Sequence, residues 1–298
     1  MVKSDTGERR MNITCKSAKE IIPEVIAEIE KNFNDKGHLL RGIPTGFSML
    51  DKGTDGFQPS NLIVIGSRPG EGKTSFALSL VANMVVNQKI PAAWFSPDMP
   101  DTFLLEQLAS NLSEIEINKL RSGFLATAEF GKLADAVDLI YEAPLFVVDE
   151  RQIPLSRLVR QARKLRHKHK IEIIFIDDLA LISAEQRWLV SRTLKNLAYE
   201  LHIPIVVLSQ LTQDYKGQEP NLAALGKWNT LEEDADLIIF LHHNYFIRDN
   251  PNEFYNNDRN VRRTSIVIAK SKNSPTGVYF MLFKAHYRRF LEVRDWDR

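Results

Sequence analysis

Asn61-Leu62-Ile63-Val64-Ile65-Gly66-Ser67-Arg68-Pro69-Gly70-Glu71-Gly72-Lys73-Thr74-Ser75-Phe76-Ala77-Leu78-Ser79-Leu80 is the stretch that decides the fold of this chain. Leu62 to Ile65 are four consecutive apolar β-formers, a glycine-rich turn follows, and Phe76 to Leu80 is helix-like. A buried strand that feeds such a turn into a helix is the context a phosphate-binding loop requires. Gly70 and Gly72 lack a Cβ, so the backbone there can curl around a phosphate chain and aim successive N–H groups inward, aided by the positive end of the helix dipole. Lys73 adds a mobile cation for the β and γ phosphates, and Thr74 a hydroxyl for Mg²⁺. The first glycine of G-x-x-x-x-G-K-[ST] is Ser67 here, with Gly66 just before it. ATP and Mg²⁺ are therefore the expected cofactors, cradled by Ser67, Arg68, Pro69, Gly70, Glu71, Gly72, Lys73, Thr74 and Ser75.

Around that motif, 298 residues with 44% hydrophobic content suffice for one substantial core. Lysine and arginine total 39 against 38 acidic residues, so no bulk charge draws the protein to a polyanion and any such site must be local. The single cysteine, Cys15, excludes an intramolecular disulfide framework and a cysteine-rich zinc site. A reducing compartment, the cytoplasm, is the expectation. No run of eighteen apolar residues and no apolar N-terminal segment occur, so neither a membrane span nor a secretory signal is expected.

Three parts are expected along the chain: a disordered tail over 1–16, a helical linker over 17–38 and the main domain over 39–298. In the second, Ile21, Ile22, Val25, Ile26, Ile29 and Phe33 recur at three- and four-residue spacing, predicting an amphipathic helix from Ser17 to Phe33. Its apolar stripe needs a surface, either its own domain or another subunit. In the third, apolar runs alternate with helical patterns, predicting an α/β fold with a mostly parallel sheet and a β-rich C-terminal end. The strand Ala92 to Phe95 runs into Asp98, which is either a general base or the cap of the next helix. The strand ending at Ile176 runs into Asp177 and Asp178, one of which should face the nucleotide and hold Mg²⁺; Asp177 is assigned that role. The strand ending at Leu208 presents Gln210 as a γ-phosphate sensor, since open α/β sheets bind ligands at strand C-terminal ends. In the polar segment Thr212 to Thr230, Lys227 and Trp228 would either grip a phosphate and stack a base of nucleic acid or pin the loop to its own domain. His242 and His243 alternate across a strand end and should not share a metal.

These residues, from about Arg41 onward, resemble the C-terminal motor domain of bacterial and phage replicative DNA helicases of the DnaB type. The resemblance is carried by Gly42-Ile43-Pro44-Thr45-Gly46-Phe47, by Arg68-Pro69 with Gly72-Lys73-Thr74, and by Phe95-Ser96 with Met99. Ser191-Arg192 with Leu194-Lys195, Leu208-Ser209-Gln210-Leu211, and Glu232 with Asp234-Ala235-Asp236 extend it in the same order. It implies a RecA-like fold, a hexameric ring of identical subunits with nucleotides between them, and 5′ to 3′ travel on single-stranded DNA, with a helicase loader or primase as further partner. The helix Ser17 to Phe33 then resembles the linker helix that docks on the next subunit, and no counterpart of the family's N-terminal helical domain is expected. Four positions depart from the pattern. The catalytic glutamate is Asp98, the arginine finger supplied in trans falls on Lys272, the DNA-contacting loop reads Gly226-Lys227-Trp228-Asn229, and the segment after the Mg²⁺ aspartate is shortened between Ile182 and Arg192. The resemblance thus implies an ATPase and DNA helicase with impaired hydrolysis, or a nucleotide-gated ring or loader-like protein that binds ATP without appreciable turnover.

Overall fold

The apolar runs become the strands of one sheet. Six of them, β1 (Leu62–Ser67), β2 (Ala92–Ser96), β3 (Leu145–Asp149), β4 (Ile173–Ile176), β5 (Ile205–Gln210) and β6 (Leu237–His243), pair in parallel, in the spatial order β3-β2-β4-β5-β1-β6. Then β7 (Val261–Ser271), β8 (Gly277–Lys284) and β9 (Arg289–Glu292) extend the sheet antiparallel beyond β6. The protein is described by a computed structural model over residues 16–34, 40–184, 186–211, 218–243 and 261–293. The chain divides into two units, residues 1–40 and 41–298.

In the first unit, α1 (Ala18–Asn34) is a single amphipathic helix with Pro23 in its second turn. Its start is fixed from inside: the Ser17 N–H and hydroxyl both donate to Glu20 Oε2, at 2.7 and 2.8 Å. The stripe Ile21, Ile22, Val25, Ile26 and Ile29 is exposed. The tail expected to be disordered lies, up to residue 15, outside the described residues, as does the break at 35–38.

In the second unit, strands β1, β2, β4, β5 and β6 are buried along almost their whole length because helices cover both faces of the sheet. Side-chain alternation splits the core in two. Ile63 and Ile65 face one layer, with Phe76 and Leu80 of α3 (Lys73–Val81), Met84 and Val85 of its π-helical continuation (Ala82–Asn87), and Leu104 and Leu108 of α4 (Asp101–Ser113). Leu62 and Val64 face the other, with Leu158 and Ala162 of α7 (Leu155–His169) and Leu194 and Ala198 of α8 (Arg187–Leu201). The helices α5 (Ile117–Ser122) and α6 (Thr127–Tyr141) lie between α4 and β3 in the chain.

Two short helices go beyond the sequence reading. α2 (Ser48–Thr54) buries Leu50, and the polar segment Thr212 to Thr230, read as a functional or mobile loop, is, from residue 218 on, largely a 3₁₀ stretch (Leu222–Trp228) followed by α9 (Thr230–Asp234). The Asn221 side chain caps that stretch by accepting the Ala223 N–H at 3.1 Å, and Leu225 and Leu231 anchor it in the core. Residues 212–217 of the same segment lie outside the described residues.

Candidate functional site

Parallel pairing brings the C-terminal ends of β1, β5, β4 and β2 to one edge of the sheet, and the loops leaving those ends supply the site. Ser67 and Gln210 are register partners on β1 and β5, and Leu211 N–H donates to Ser67 O at 2.9 Å. Gly70 and Gly72 both adopt positive φ, 81° and 86°, which a β-carbon would strain. At Gly72 it would also crowd the Phe283 ring at 3.0 Å and the Phe290 ring at 3.2 Å. The loop therefore turns tightly into α3, with its N–H groups at a helix start. A cavity of about 400 Å³ lies over it, lined by the loop, Gln210, Met99, Phe103 and Gln107. Arg68, Lys73, Arg262 and Arg288 also line it, and among the described residues no carboxylate does.

The acids sit at the base of this edge. Thr74 Oγ1 donates to Asp177 Oδ2 at 2.7 Å, and Lys73 Nζ is paired with Asp178. Both aspartates therefore face the loop. The expectation that only one could do so fails because β4 ends at Ile176 and strand alternation does not extend past it. Asp177 is 5% exposed, and burial pushes its pKa up to about 6 against the pull of Lys73 and the Thr74 hydrogen bond. Asp98, exposed on the bend after β2, is near enough to add to that rise. A hydroxyl and a carboxylate side by side are hard oxygen donors of the kind Mg²⁺ takes. The cationic lining suits a polyphosphate. The residues present thus fit a Mg-nucleotide: Lys73, Thr74 and the loop amides for the phosphates, Thr74 and Asp177 for the metal.

On the other flank stands a network that sequence reasoning missed. Glu71, inside the loop and 2% exposed, accepts the Arg68 N–H at 2.9 Å and the His243 N–H at 3.3 Å. His242 Nδ1 lies 3.6 Å from its carboxylate and 3.3 Å from Arg68 Nη1. Burial works against the Glu71 charge, but the contacts from His242, Arg68 and His243 outweigh it and hold the pKa below the usual value. His243 turns the other way, with Nδ1 2.9 Å from Thr264 Oγ1 and its ring stacked on Phe283; burial lowers its pKa to about 4. The histidines thus face opposite sides, and no cluster of three or more His, Cys, Asp or Glu side chains placed to hold a metal occurs among the described residues. An acid at a variable P-loop position and two histidines at the end of an adjoining strand were the only signal for this network.

Three predicted residues are not brought to this edge. Trp228 is 7% exposed and packed in the α8 layer with the Arg187 guanidinium 5.6 Å from its ring; of the two expected roles this geometry favours pinning the loop to its own domain over stacking a base. Lys227 beside it is exposed. Lys272, 71% exposed, follows β7 at the opposite edge of the sheet; its N–H donates to Asp236 O at 2.9 Å and its Nζ lies 3.9 Å from Asp236 Oδ1. Asp236 in turn accepts the Leu62 N–H at 2.9 Å and pairs with Lys195. The six residues of β1 separate Lys272 from its own P-loop by roughly 20 Å.

The DnaB-like helicase C terminal domain model matches residues 42–292. The replicative DNA helicase DnaB of Treponema pallidum is 38% identical over 96% of this chain, and that of Geobacillus stearothermophilus 32% over 97%. The chain spans 64% of the length of each. Among solved structures, an ATPase domain superposes with a TM-score of 0.81 at 25% identity, covering 92% of this chain and 99% of that one. A DnaB-like replicative helicase described with its primase interactions superposes at 0.79 and 26% identity, covering 94% of this chain and 68% of that one. The fold is thus the RecA-like one that the resemblance implied, a mostly parallel sheet with antiparallel C-terminal strands. With one model covering most of its length and relatives aligned over almost the whole of this chain, the chain belongs to the DnaB-like helicase C terminal domain family.

Proposed function

We propose that residues 39–298 form an ATP-driven motor of the replicative helicase kind, coupling Mg-ATP hydrolysis to movement along single-stranded DNA and to unwinding, with 17–38 as the linker helix of a homo-oligomeric, hexameric ring in the cytoplasm. The observation that carries this reading is the convergence of Lys73, Thr74, Asp177, Asp98 and Gln210 at one sheet edge under a cationic cavity. The P-loop amides and Lys73 bind the phosphates, with Lys73 leaving Asp178 to do so. Asp98 orients the attacking water and Gln210 senses the γ-phosphate. Bound Mg²⁺ supplies charge neutralisation for the phosphoryl group that is transferred. Lys272 is too far from its own phosphates and serves those of a neighbouring subunit, which makes the site incomplete in a single chain. One of the structural relatives is a helicase described with its primase interactions, which supports a primase or loader partner here.

The test is the rate of phosphate release with and without single-stranded DNA. DNA-stimulated turnover that Lys73→Ala abolishes is the expected result. Nucleotide binding without DNA-stimulated turnover would favour a nucleotide-gated ring instead, and no rise in melting temperature with saturating Mg-ATP would sink the nucleotide site itself.

A further inference from the structure

The turn that leads into β9 carries Arg288, one of the cations that line the cavity. Ala285–Tyr287 form one 3₁₀ turn, and Arg288 closes it in the left-handed region at φ 53°. Two hydrogen bonds hold it there: its N–H donates to Ala285 O at 3.3 Å, and Asn111 Nδ2 on α4 donates to its carbonyl at 2.7 Å. The basic side chains around it are matched. Lys284 and Arg289 share Glu114, and His286 lies 3.2 Å from Glu116. Arg121, a like charge close enough to act on Arg288, is paired with Glu106 and lies over the Phe103 ring.

Arg288 differs from all of these. Its side chain makes no hydrogen bond or ion pair among the described residues, and its Nε is buried without an acceptor. Burial first, and then the charge of Arg121, hold its pKa below the ordinary arginine value. A guanidinium does not escape this by losing its proton, since it stays charged in any protein environment. The side chain nevertheless lines the same cavity as Gly72, Lys73 and Thr74. A half-buried cation without a counter-ion among the described residues, on a wall of a phosphate cradle, is a site completed by an anion. The planar fork fits a phosphate bidentately.

We propose that Arg288 is a nucleotide-binding residue that grips the phosphate chain from the same subunit as Lys73, an inference that rests on the ATP reading above. It gives the pocket a cis guanidinium in addition to the ammonium of Lys73, which the free protein pairs with Asp178. Its structural cost in the free protein is what ligand binding relieves.

Calorimetric titration of the full chain with Mg-ADP and with inorganic tripolyphosphate, together with melting curves of the free protein, tests this on the parent, Arg288→Gln, Arg288→Lys and Lys73→Ala. Arg288→Gln should weaken both ligands by roughly tenfold or more, as expected for a charge-assisted contact. Arg288→Lys should fall between it and the parent, and the melting temperature of free Arg288→Gln should equal or exceed the parent's. Unchanged affinity in Arg288→Gln, with binding abolished by Lys73→Ala, overturns the inference and leaves the nucleotide site intact. Weaker Mg-ADP with unchanged tripolyphosphate puts the arginine on the base or ribose and also overturns it. So does a lower melting temperature in both Arg288 variants, which marks a structural role. A parent that binds neither ligand overturns this inference and the ATP reading together.

Discussion

On the β4 side of the P-loop, Asp177 meets one hydroxyl, and Asp178 one ammonium and the Ala180 N–H; on the β6 side, Glu71 meets two backbone N–H groups, a histidine and a guanidinium. Burial opposes the charge on Asp177 and on Glu71 alike. The outcomes differ in sign, because a carboxylate that accepts several N–H groups keeps its charge while one left short of donors does not. Glu71 is complete, and it ties the loop to the end of β6. Asp177 is held short of partners beside Thr74, and a dication would supply what it lacks. The same side-chain chemistry thus yields a brace on one flank and a receptive site on the other, and the number of donors decides which.

The hardest test of this contrast is Asp177→Asn. It should cut Mg-dependent phosphate release about a hundredfold or more, yet raise the melting temperature of the free protein at pH 8. The sign follows from linkage. A carboxyl with a folded pKa of about 6, above its ordinary 3.8, adds stability below pH 3.8 that is lost as pH rises through 6. Removing the charge should return on the order of 2–3 kcal/mol at pH 8 and roughly half of that at pH 5. A lower melting temperature at pH 8 would mean that Asp177 is as well satisfied as Glu71.

Asp98→Glu tests the same flank from solvent. The added methylene carries the carboxylate about 1 Å further, a displacement that can change a rate by on the order of a hundredfold. Basal hydrolysis should rise with ATP affinity unchanged, and Lys272→Arg should raise it again by presenting a planar fork to the neighbour's phosphates. A parent already turning over at about 10 per second would remove the basis for both.

Glu71→Ala should do the reverse of Asp177→Asn. It strands the Arg68 and His243 amides and should destabilise the free protein by about 2–4 kcal/mol, read from urea midpoints. Because the Glu71 pKa is lowered, its stabilisation is present above the ordinary glutamate value of 4.5 and fades as pH falls through the lower folded value, so parent and variant should converge in acid. The smallest effect concerns the metal. Mn²⁺ affinity, followed by its spin-resonance signal, should rise about tenfold or more from pH 5 to pH 7 as Asp177 loses its proton, and Asp177→Asn should flatten that slope.

The sheet was legible because each strand is an apolar run bounded by polar punctuation, and the P-loop because its neighbours in sequence are also its neighbours in space. The strand-end residues Asp98, Asp177 and Gln210 followed from one rule about parallel sheets. What stayed hidden depended on long-range partners or local curvature. Glu71 acquires its meaning from His242 and His243, some 170 positions away. Asp178 looked redundant only while the strand was assumed to continue past Ile176. Trp228 sits in a polar stretch, but Leu225 and Leu231 on either side drive that stretch into helical turns that swallow the indole. Trp228→Ala should therefore cost roughly 3–5 kcal/mol of stability, as core aromatic truncations do, while Lys227→Ala leaves the fold alone.

Asp236 gives the opposite edge a kind of insurance. A cation that serves a neighbouring molecule must let go of whatever holds it at home, and a buried acid abandoned in this way would be a heavy penalty. Here Lys195 and the Leu62 amide stay behind on the same carboxylate, so Lys272 can depart and return without stranding a charge. A 71% exposed ammonium 3.9 Å from that carboxylate is therefore loosely tethered, and its own fold has little to lose when it swings away.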